Sequence, residues 1–479
     1  MLLLLLAFIV IASIITNPFS RLSIVRKPLV ASFNKTTIEI SKKQNIIVRN
    51  NWYWVFFSVI KSGFHILESR YFNSPRSNKK TADGIIKDIH TLRFDTSKLL
   101  IVSGDHFISL FVRNLGVFYY PLLDGKINSS KDDWHNRQII YLETIAFAID
   151  TFHQFGHLST TIVPTSRNGV TCVNFYAYPS DSLYGILYGL AVMMGLETSR
   201  ALDYKAAEQE LSTKKASKIL LSDYKDTLKK LYNEYLNKIY DKKTGLISKD
   251  MELSGAKDIT KRRSAFYDNV ILWKTTQLAV KLGLIEDKAL WLENYKKKIL
   301  KTFWQEDLGY FLEDLSEECQ ENKYYSSDWL VVLFTGFLNP QLKGERKYYE
   351  KNVEYIESEK LDQPFAIKYQ KNTQAKRQFL AVKIAVASYG GDAIWSFWGM
   401  EYIKTLLILY KLTEKETYLT RADYHIAKYK KLIMRNGGFP EVYDRNGKLL
   451  QTWAYRSIRQ TGWVIGFEQV LALRQALFS

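Results

Sequence analysis

The chain has 479 residues, 47% of them apolar and 14% aromatic, with a formal net charge of +18. That composition is enough for a sizeable core, while two cysteines, Cys172 and Cys319, are too few for a disulfide scaffold or a cysteine metal site. The positive charge suggests anionic partners, but the lysines are dispersed over helical faces, as at Lys214, Lys215 and Lys218, and there is neither zinc-finger spacing nor an arginine-rich stripe, so no nucleic-acid partner is expected.

In chain order, Leu2 to Ile15 is an almost unbroken apolar run followed by Arg21, Arg26 and Lys27, with no A-x-A cleavage pattern. Residues 1–27 are therefore expected to be a hydrophobic anchor, with 2–16 as a helix projecting from the body; a cleaved signal peptide is the alternative. A membrane-anchored, single-pass protein follows, and the trailing basic residues favour a cytoplasmic body. Residues 28–51 read as a linker or short strand-rich lead-in, with β-branched residues at Thr36, Thr37, Ile38 and Ile40 and again at Ile46, Ile47 and Val48. From 52 to 479 apolar residues recur at three-to-four spacing, which predicts about twelve helices. They fall near 52–68, 104–119, 133–154, 180–196, 217–239, 264–282, 286–302, 325–337, 345–358, 392–411, 415–434 and 456–476.

One loop pattern recurs between these helices. Tyr240-Asp241 to Gly245, Trp304 to Asp307 and Gly309, and Tyr443-Asp444 to Gly447 each place an acid, then a glycine suited to a left-handed turn, then apolar residues. Repeated units of this kind imply an array of helical hairpins. The expected fold class is all-α: six hairpins closed into an (α/α)6 toroid, with an open helical solenoid as the alternative.

Glycoside hydrolysis usually needs two carboxyl groups flanking the scissile bond, and aromatic faces to hold the sugar. Acids set among aromatic residues at predicted helix starts are therefore the candidates. Asp105 precedes Arg113; Tyr178 leads into Asp181; Arg263 leads into Tyr267-Asp268; Asp328 abuts Trp329; and Asp392 leads into Trp395 and Trp398. Glu441 lies in a Gly-Gly-Phe-Pro-Glu loop. Each Asp alone could be a helix N-cap, worth roughly 0.5–2 kcal/mol, but a toroid would bring the group to one mouth.

From about residue 100 onward the chain resembles the six-hairpin glycosidases, especially the trehalase, processing α-glucosidase and glycogen-debranching groups. Tyr267-Asp268-Asn269 is similar to their general-acid motif, and Ser327-Asp328-Trp329 to a substrate-cleft segment. The stretch from Asp392 through Trp395 to Trp398 is similar to their Trp-rich region. Pro440-Glu441-Val-Tyr443-Asp444 resembles the motif bearing the general base, and Tyr178-Pro-Ser-Asp181 a Thr-x-Asp-Ala segment. Phe266 stands where a small residue is usual, and Gly-Pro is absent beside Asp392.

The resemblance implies an inverting glycoside hydrolase for an α-glucoside or related glycan, with Asp268 as acid and Glu441 as base. Asp105, Arg113, Tyr178, Asp181, Arg263, Tyr267, Asp328, Trp329, Asp392, Trp395 and Trp398 would bind substrate. The partners expected are a glycan and, through the N-terminal segment, a membrane. His153 and His157 lack convincing zinc spacing and no phosphate loop is present, so no metal or cofactor is expected. The alternatives are a sugar epimerase, lyase or phosphorylase on the same ring, or a glycan-binding protein without the chemistry.

Overall fold

A computed structural model of the chain describes residues 31–32, 37–38, 47–49, 51–72, 76–93, 109–116, 131–166, 169–197, 211–373 and 375–478. The structure is mostly helical. Fourteen helices occur among the described residues: α1 Trp52–Tyr71, α2 Ala82–Arg93, α3 Lys131–Phe155, α4 Ser182–Met193, α5 Leu211–Ile239, α6 Phe266–Lys281, α7 Ala289–Phe303, α8 Glu317–Asn322, α9 Val331–Thr335, α10 Lys343–Ser358, α11 Leu380–Val386, α12 Ser396–Thr413, α13 Glu416–Asn436 and α14 Val464–Ala476.

Their composition sorts them into an inner and an outer set. Helix α4 is buried along its whole length, and α6 and α12 nearly so; helices apolar all round belong inside a core. Helix α4 packs on α6, α6 on α9, α9 on α12 and α12 on α14, forming an inner wall. Amphipathic helices stand behind it. Helix α7 buries Tyr295, Ile299 and Phe303 on one stripe and packs on α6. Helix α13 buries Tyr418, Ala422, His425 and Tyr429 and packs on α12. The long α5 lies against α3 and α4. Helix α2 packs on α13, and its His90 Nε2 lies 2.6 Å from Glu468 Oε2 of α14, which joins the early chain to the last helix. This alternation is the plan expected of an (α/α)6 toroid.

The repeated loops are short β-hairpins. Strand β8 (Tyr240–Asp241) pairs with β9 (Leu246–Ile247), and β11 (Trp304–Gln305) with β12 (Tyr310–Phe311). Gly245, Gly309 and Gly447 have φ of 67°, 73° and 77°, the left-handed turn their spacing anticipates. Asp241 and Asp444 accept backbone N–H groups within their own turns.

A four-stranded sheet in the order β3-β6-β5-β4 carries α1 on it; its strands are β3 Ile47–Val48, β4 Leu110–Phe111, β5 Thr161–Ser166 and β6 Gly169–Val173. Strand β4 runs directly into a 3-10 turn, Val112–Leu115. A helix was expected over 104–119; the described part, 109–116, is this strand and turn instead. The helix expected over 325–337 is likewise broken, into a 3-10 turn at Ser327–Leu330 and α9.

The membrane expectation is corrected here. No helix of the described residues is long and apolar enough to cross a membrane. Residues 2–16, on which a single-pass anchor and its cytoplasmic body were expected, lie outside the described residues.

Candidate active site

A cavity of about 940 Å³ opens at one mouth of the ring. Its charged floor begins with Arg113 on the 3-10 turn. Strand β10 (Leu253–Ser254) pairs in parallel with β7 (Tyr178–Pro179), which lays the following loop, Gly255 to Asp258, beside that turn. Arg113 then donates to the Gly255 carbonyl and to Asp258 Oδ2, and lies 3.5 Å from Asp181 Oδ2. Gly255 also lets the loop pass close over Asp268 and Ser180: a Cβ there would stand 2.7 Å from both Asp268 Oδ1 and Ser180 Oγ.

Asp258 lines the cavity. Burial pushes its carboxyl above the ordinary carboxylate value, and the Arg113 charge only partly offsets this. Glu441 lines the same cavity. Its backbone is pinned by Glu441 N to Ile458 O at 2.9 Å and by Ser396 N donating to Glu441 O at 3.0 Å. Tyr455 donates its phenol to Glu441 Oε2 at 3.3 Å. Tyr389 also lines the cavity, within reach of the charges of both acids. Burial raises its phenol pKa well above the ordinary value, and the charges of Glu441, Tyr455 and Asp258 raise it further. Trp395 packs edge-on to Tyr389 at 4.7 Å and lies 5.7 Å from Trp463. Trp398 is edge-on to Tyr267 at 6.3 Å.

Of the residues singled out in the sequence, Arg113, Tyr267, Trp395, Trp398 and Glu441 line the cavity. Asp181 sits directly behind, paired with Arg113 and accepting from the Tyr267 phenol at 3.2 Å. Asp268 is not among the lining residues. It is buried beneath the floor, where Ser180 Oγ donates to it at 2.6 Å. The arginine acting on it is Arg262, not Arg263. Arg263 points away, toward Glu252 and the Lys249 carbonyl.

Asp328 holds Arg262 at 2.6 Å in the core, and Trp329 beside it donates to the Tyr325 phenol at 2.9 Å. Tyr178 is buried and reaches Glu234 at 3.5 Å. Asp392 lies 3.8 Å from Arg445. None of these four lines the cavity. Asp105 lies outside the described residues. Asp258, Tyr389 and Tyr455 were missed. Asp258 follows Gly255-Ala256-Lys257 with no aromatic neighbour in sequence; its only local signal is an acid closing a glycine-containing, non-periodic stretch. No group of three or more potential metal ligands occurs among the described residues.

The buried Asp268 carries a consequence for stability. Burial raises its pKa from 3.8 to about 6, against the opposing Arg262 charge and Ser180 hydrogen bond. Ionising it therefore opposes the fold: stability is highest below the unfolded value and falls as pH rises through about 6, by ~3 kcal/mol at most. Asp268→Asn removes that loss while keeping an acceptor for Ser180. The variant should melt at a higher temperature than the parent near pH ~8 and not near pH ~4. Thermal melts at both pH values check this, and equal melting at the higher pH would refute it.

No family model matches the chain, and no curated protein matches it. Solved structures do. A sugar epimerase from a ruminal bacterium superposes with a TM-score of 0.51 at 10% identity, covering 86% of this chain and 98% of that one. A GH63 mannosylglycerate hydrolase from Thermus thermophilus in complex with glucose gives 0.49 at 11% identity, covering 82% and 99%. A rhamnosidase from Klebsiella oxytoca with rhamnose bound gives 0.49 at 13% identity, covering 84% of this chain and 66% of that one. At such identity the likeness to the ruminal epimerase shows the fold alone, the (α/α)6 toroid, and this chain shares that fold.

Proposed function

We propose that the chain is an inverting glycoside hydrolase for an α-glucoside or related glycan, with Asp258 as general acid and Glu441 as general base. The observation that carries this is the pairing of two carboxyl groups in unlike surroundings at one aromatic cavity. An acid must hold its proton at working pH, and burial favours the protonated form of Asp258. Glu441, held by the Tyr455 phenol, faces the same space as the candidate activator of water. Protonation of the leaving oxygen by Asp258 and attack by water deprotonated at Glu441 would then occur in one step across the sugar. Trp395, Trp398 and Tyr267 offer faces and edges for the ring, and Arg113 fixes Asp258. In this reading the acid role implied for Asp268 by sequence resemblance passes to Asp258, which lines the cavity as Asp268 does not.

A sugar epimerase on the same ring is the second reading, and it would need a pair of bases, typically histidines, in the cleft. No histidine lines the cavity among the described residues. A glycan-binding protein without chemistry would leave substrates intact. Incubating the chain with a panel of α-glucosides, mannosides and rhamnosides, with released sugar and its first-formed anomer read by NMR, separates the three. Release with inversion is expected. Isomerised sugar without cleavage would favour the epimerase, and binding without turnover the non-catalytic protein.

A further inference from the structure

We infer that the glycoside taken by this site carries an alkyl aglycone, seated in an apolar arm of the cavity between α1 and α11. This rests on the glycosidase assignment above and names its substrate class. The cavity is chemically divided. Its hydrogen-bonding groups, among them Arg113, Asp258, Tyr389 and Glu441, come from the 3-10 turn and from loops. The two helices contribute hydrocarbon instead: Ile60, Phe64 and Leu67 from α1 and Val382, Ala385 and Val386 from α11.

Among the described residues of these two helices, Glu68 is the one charged side chain that lines the cavity, and it lies 3.3 Å from His65 Nδ1. A second sugar in this arm would exchange water for hydrocarbon around most of its hydroxyls, leaving them without partners. An alkyl chain has nothing to leave unsatisfied, and each CH₂ removed from water tightens binding about fourfold. The volume, about 940 Å³, lies at the upper end of ordinary ligand pockets, with room for a sugar and a chain together. Phe72 and Trp453 also line the cavity and are 89% and 64% exposed, so the apolar lining continues out to solvent and a long chain need not end inside.

The test uses the full chain with Glu441→Gln, so that binding is read without turnover. Calorimetry compares matched methyl and n-octyl α-glycosides of glucose, mannose and rhamnose, below the micellar concentration of the octyl compounds, with maltotriose as the competing oligosaccharide. In at least one pair the octyl glycoside should bind more than about thirtyfold tighter than the methyl, and tighter than maltotriose. Phe64→Ser should remove about tenfold of the octyl affinity and leave the methyl affinity unchanged. Should that variant fail to fold, Leu67→Ser, at a partly exposed position, reads the same wall. An octyl-to-methyl ratio near one in every pair, no binding of either member in any pair, or tighter binding of maltotriose overturns the inference. Octyl preference with no hydrolysis by the parent chain would sink the glycosidase assignment alone; hydrolysis with a ratio near one would sink the aglycone alone.

Discussion

Replacing Glu441 by Gln, or Asp258 by Asn, is expected to lower kcat by roughly a hundred- to ten-thousandfold, while Asp268→Asn stays within about tenfold of the parent. Both substitutions are close to isosteric and leave the local scaffold in place. Ser396 still donates to the residue-441 carbonyl, and an Asn at 258 still accepts from Arg113. The two losses should differ in kind. Without its acid the proposed hydrolase would depend on leaving-group basicity, so Asp258→Asn should recover part of its rate on a substrate with an activated leaving group, such as a nitrophenyl glycoside. Glu441→Gln should gain nothing from that substrate and should recover with a small added nucleophile such as azide. The parent's kcat/KM should fall on the alkaline side as Asp258 ionises, at a pH above the ordinary aspartate value, because burial raises that group. Steady-state kinetics on the three variants decide the matter. Near-normal turnover by Asp258→Asn, or a large loss in Asp268→Asn with its fold intact, returns the acid role to the deeper carboxyl.

A second large effect is expected in the core beside the site. Glu313 is buried and accepts from Lys257 Nζ at 2.6 Å, Arg377 Nη1 at 2.6 Å and Gln370 Nε2 at 2.7 Å. Burial by itself would raise its pKa; the neighbouring Lys257 and Arg377 charges outweigh that and hold it at about 2. A carboxyl depressed from 4.5 contributes stability that is complete above the unfolded value and is lost as pH falls through about 2. Glu313→Gln strips two buried cations of this counter-charge, at a cost of about 3–5 kcal/mol near neutral pH.

Arg377 keeps Asp314 as a partner, so Lys257 is the more exposed to the loss. Burial already lowers its pKa to about 8, with Glu313 opposing that shift. Without Glu313 the Lys257 pKa falls further, so the damage should shrink as pH rises and Lys257 sheds its proton, and Glu313→Gln with Lys257→Met should be more stable than Glu313→Gln alone. Denaturation midpoints of the single and double variants measure this. A double variant no more stable than the single would place the cost elsewhere. Lys257 directly precedes Asp258 in the chain, so the single variant should also lose activity out of proportion to its folded fraction.

The ring was legible in the sequence because its outer helices keep a clean three-to-four stripe, as in α7 and α13, and because three hairpin turns repeat one acid-glycine pattern. It was less legible where helices are short: α11, seven residues of Leu-Ala-Val-Lys-Ile-Ala-Val, is too brief to show a period. In the site, Glu441, Trp395, Trp398 and Tyr267 stood out because aromatic and glycine neighbours mark them locally. The same rule also marks Asp268 and Asp328, which are not among the residues lining the cavity. There the aromatic neighbours are core packing, and the acids serve buried contacts with Ser180 and Arg262. Asp258 escaped notice because its surroundings are assembled from afar: Arg113 lies 145 positions earlier, and Tyr389 comes from the far side of α10. An acid whose partners arrive only through the closure of a ring leaves little trace in its own neighbourhood.

That closure also sets an order in time. Helix α1, which walls the cavity, is tied at its C-terminal end by Arg70 Nε to the Thr452 carbonyl and by the Tyr71 phenol to the Trp453 carbonyl, both at 2.6 Å and both across 382 positions. During synthesis at roughly 5–20 residues per second, the later partner follows the earlier by about 20–80 s. For that interval the helix, with Trp52, Phe56 and Phe57 exposed even in the finished fold, has the sheet beneath it but lacks these two ties at its C-terminal end. The pocket is thus among the last features a growing chain can complete, and a chain released before Trp453 would carry an open wall and an apolar helix offered to whatever chaperone or neighbour meets it first.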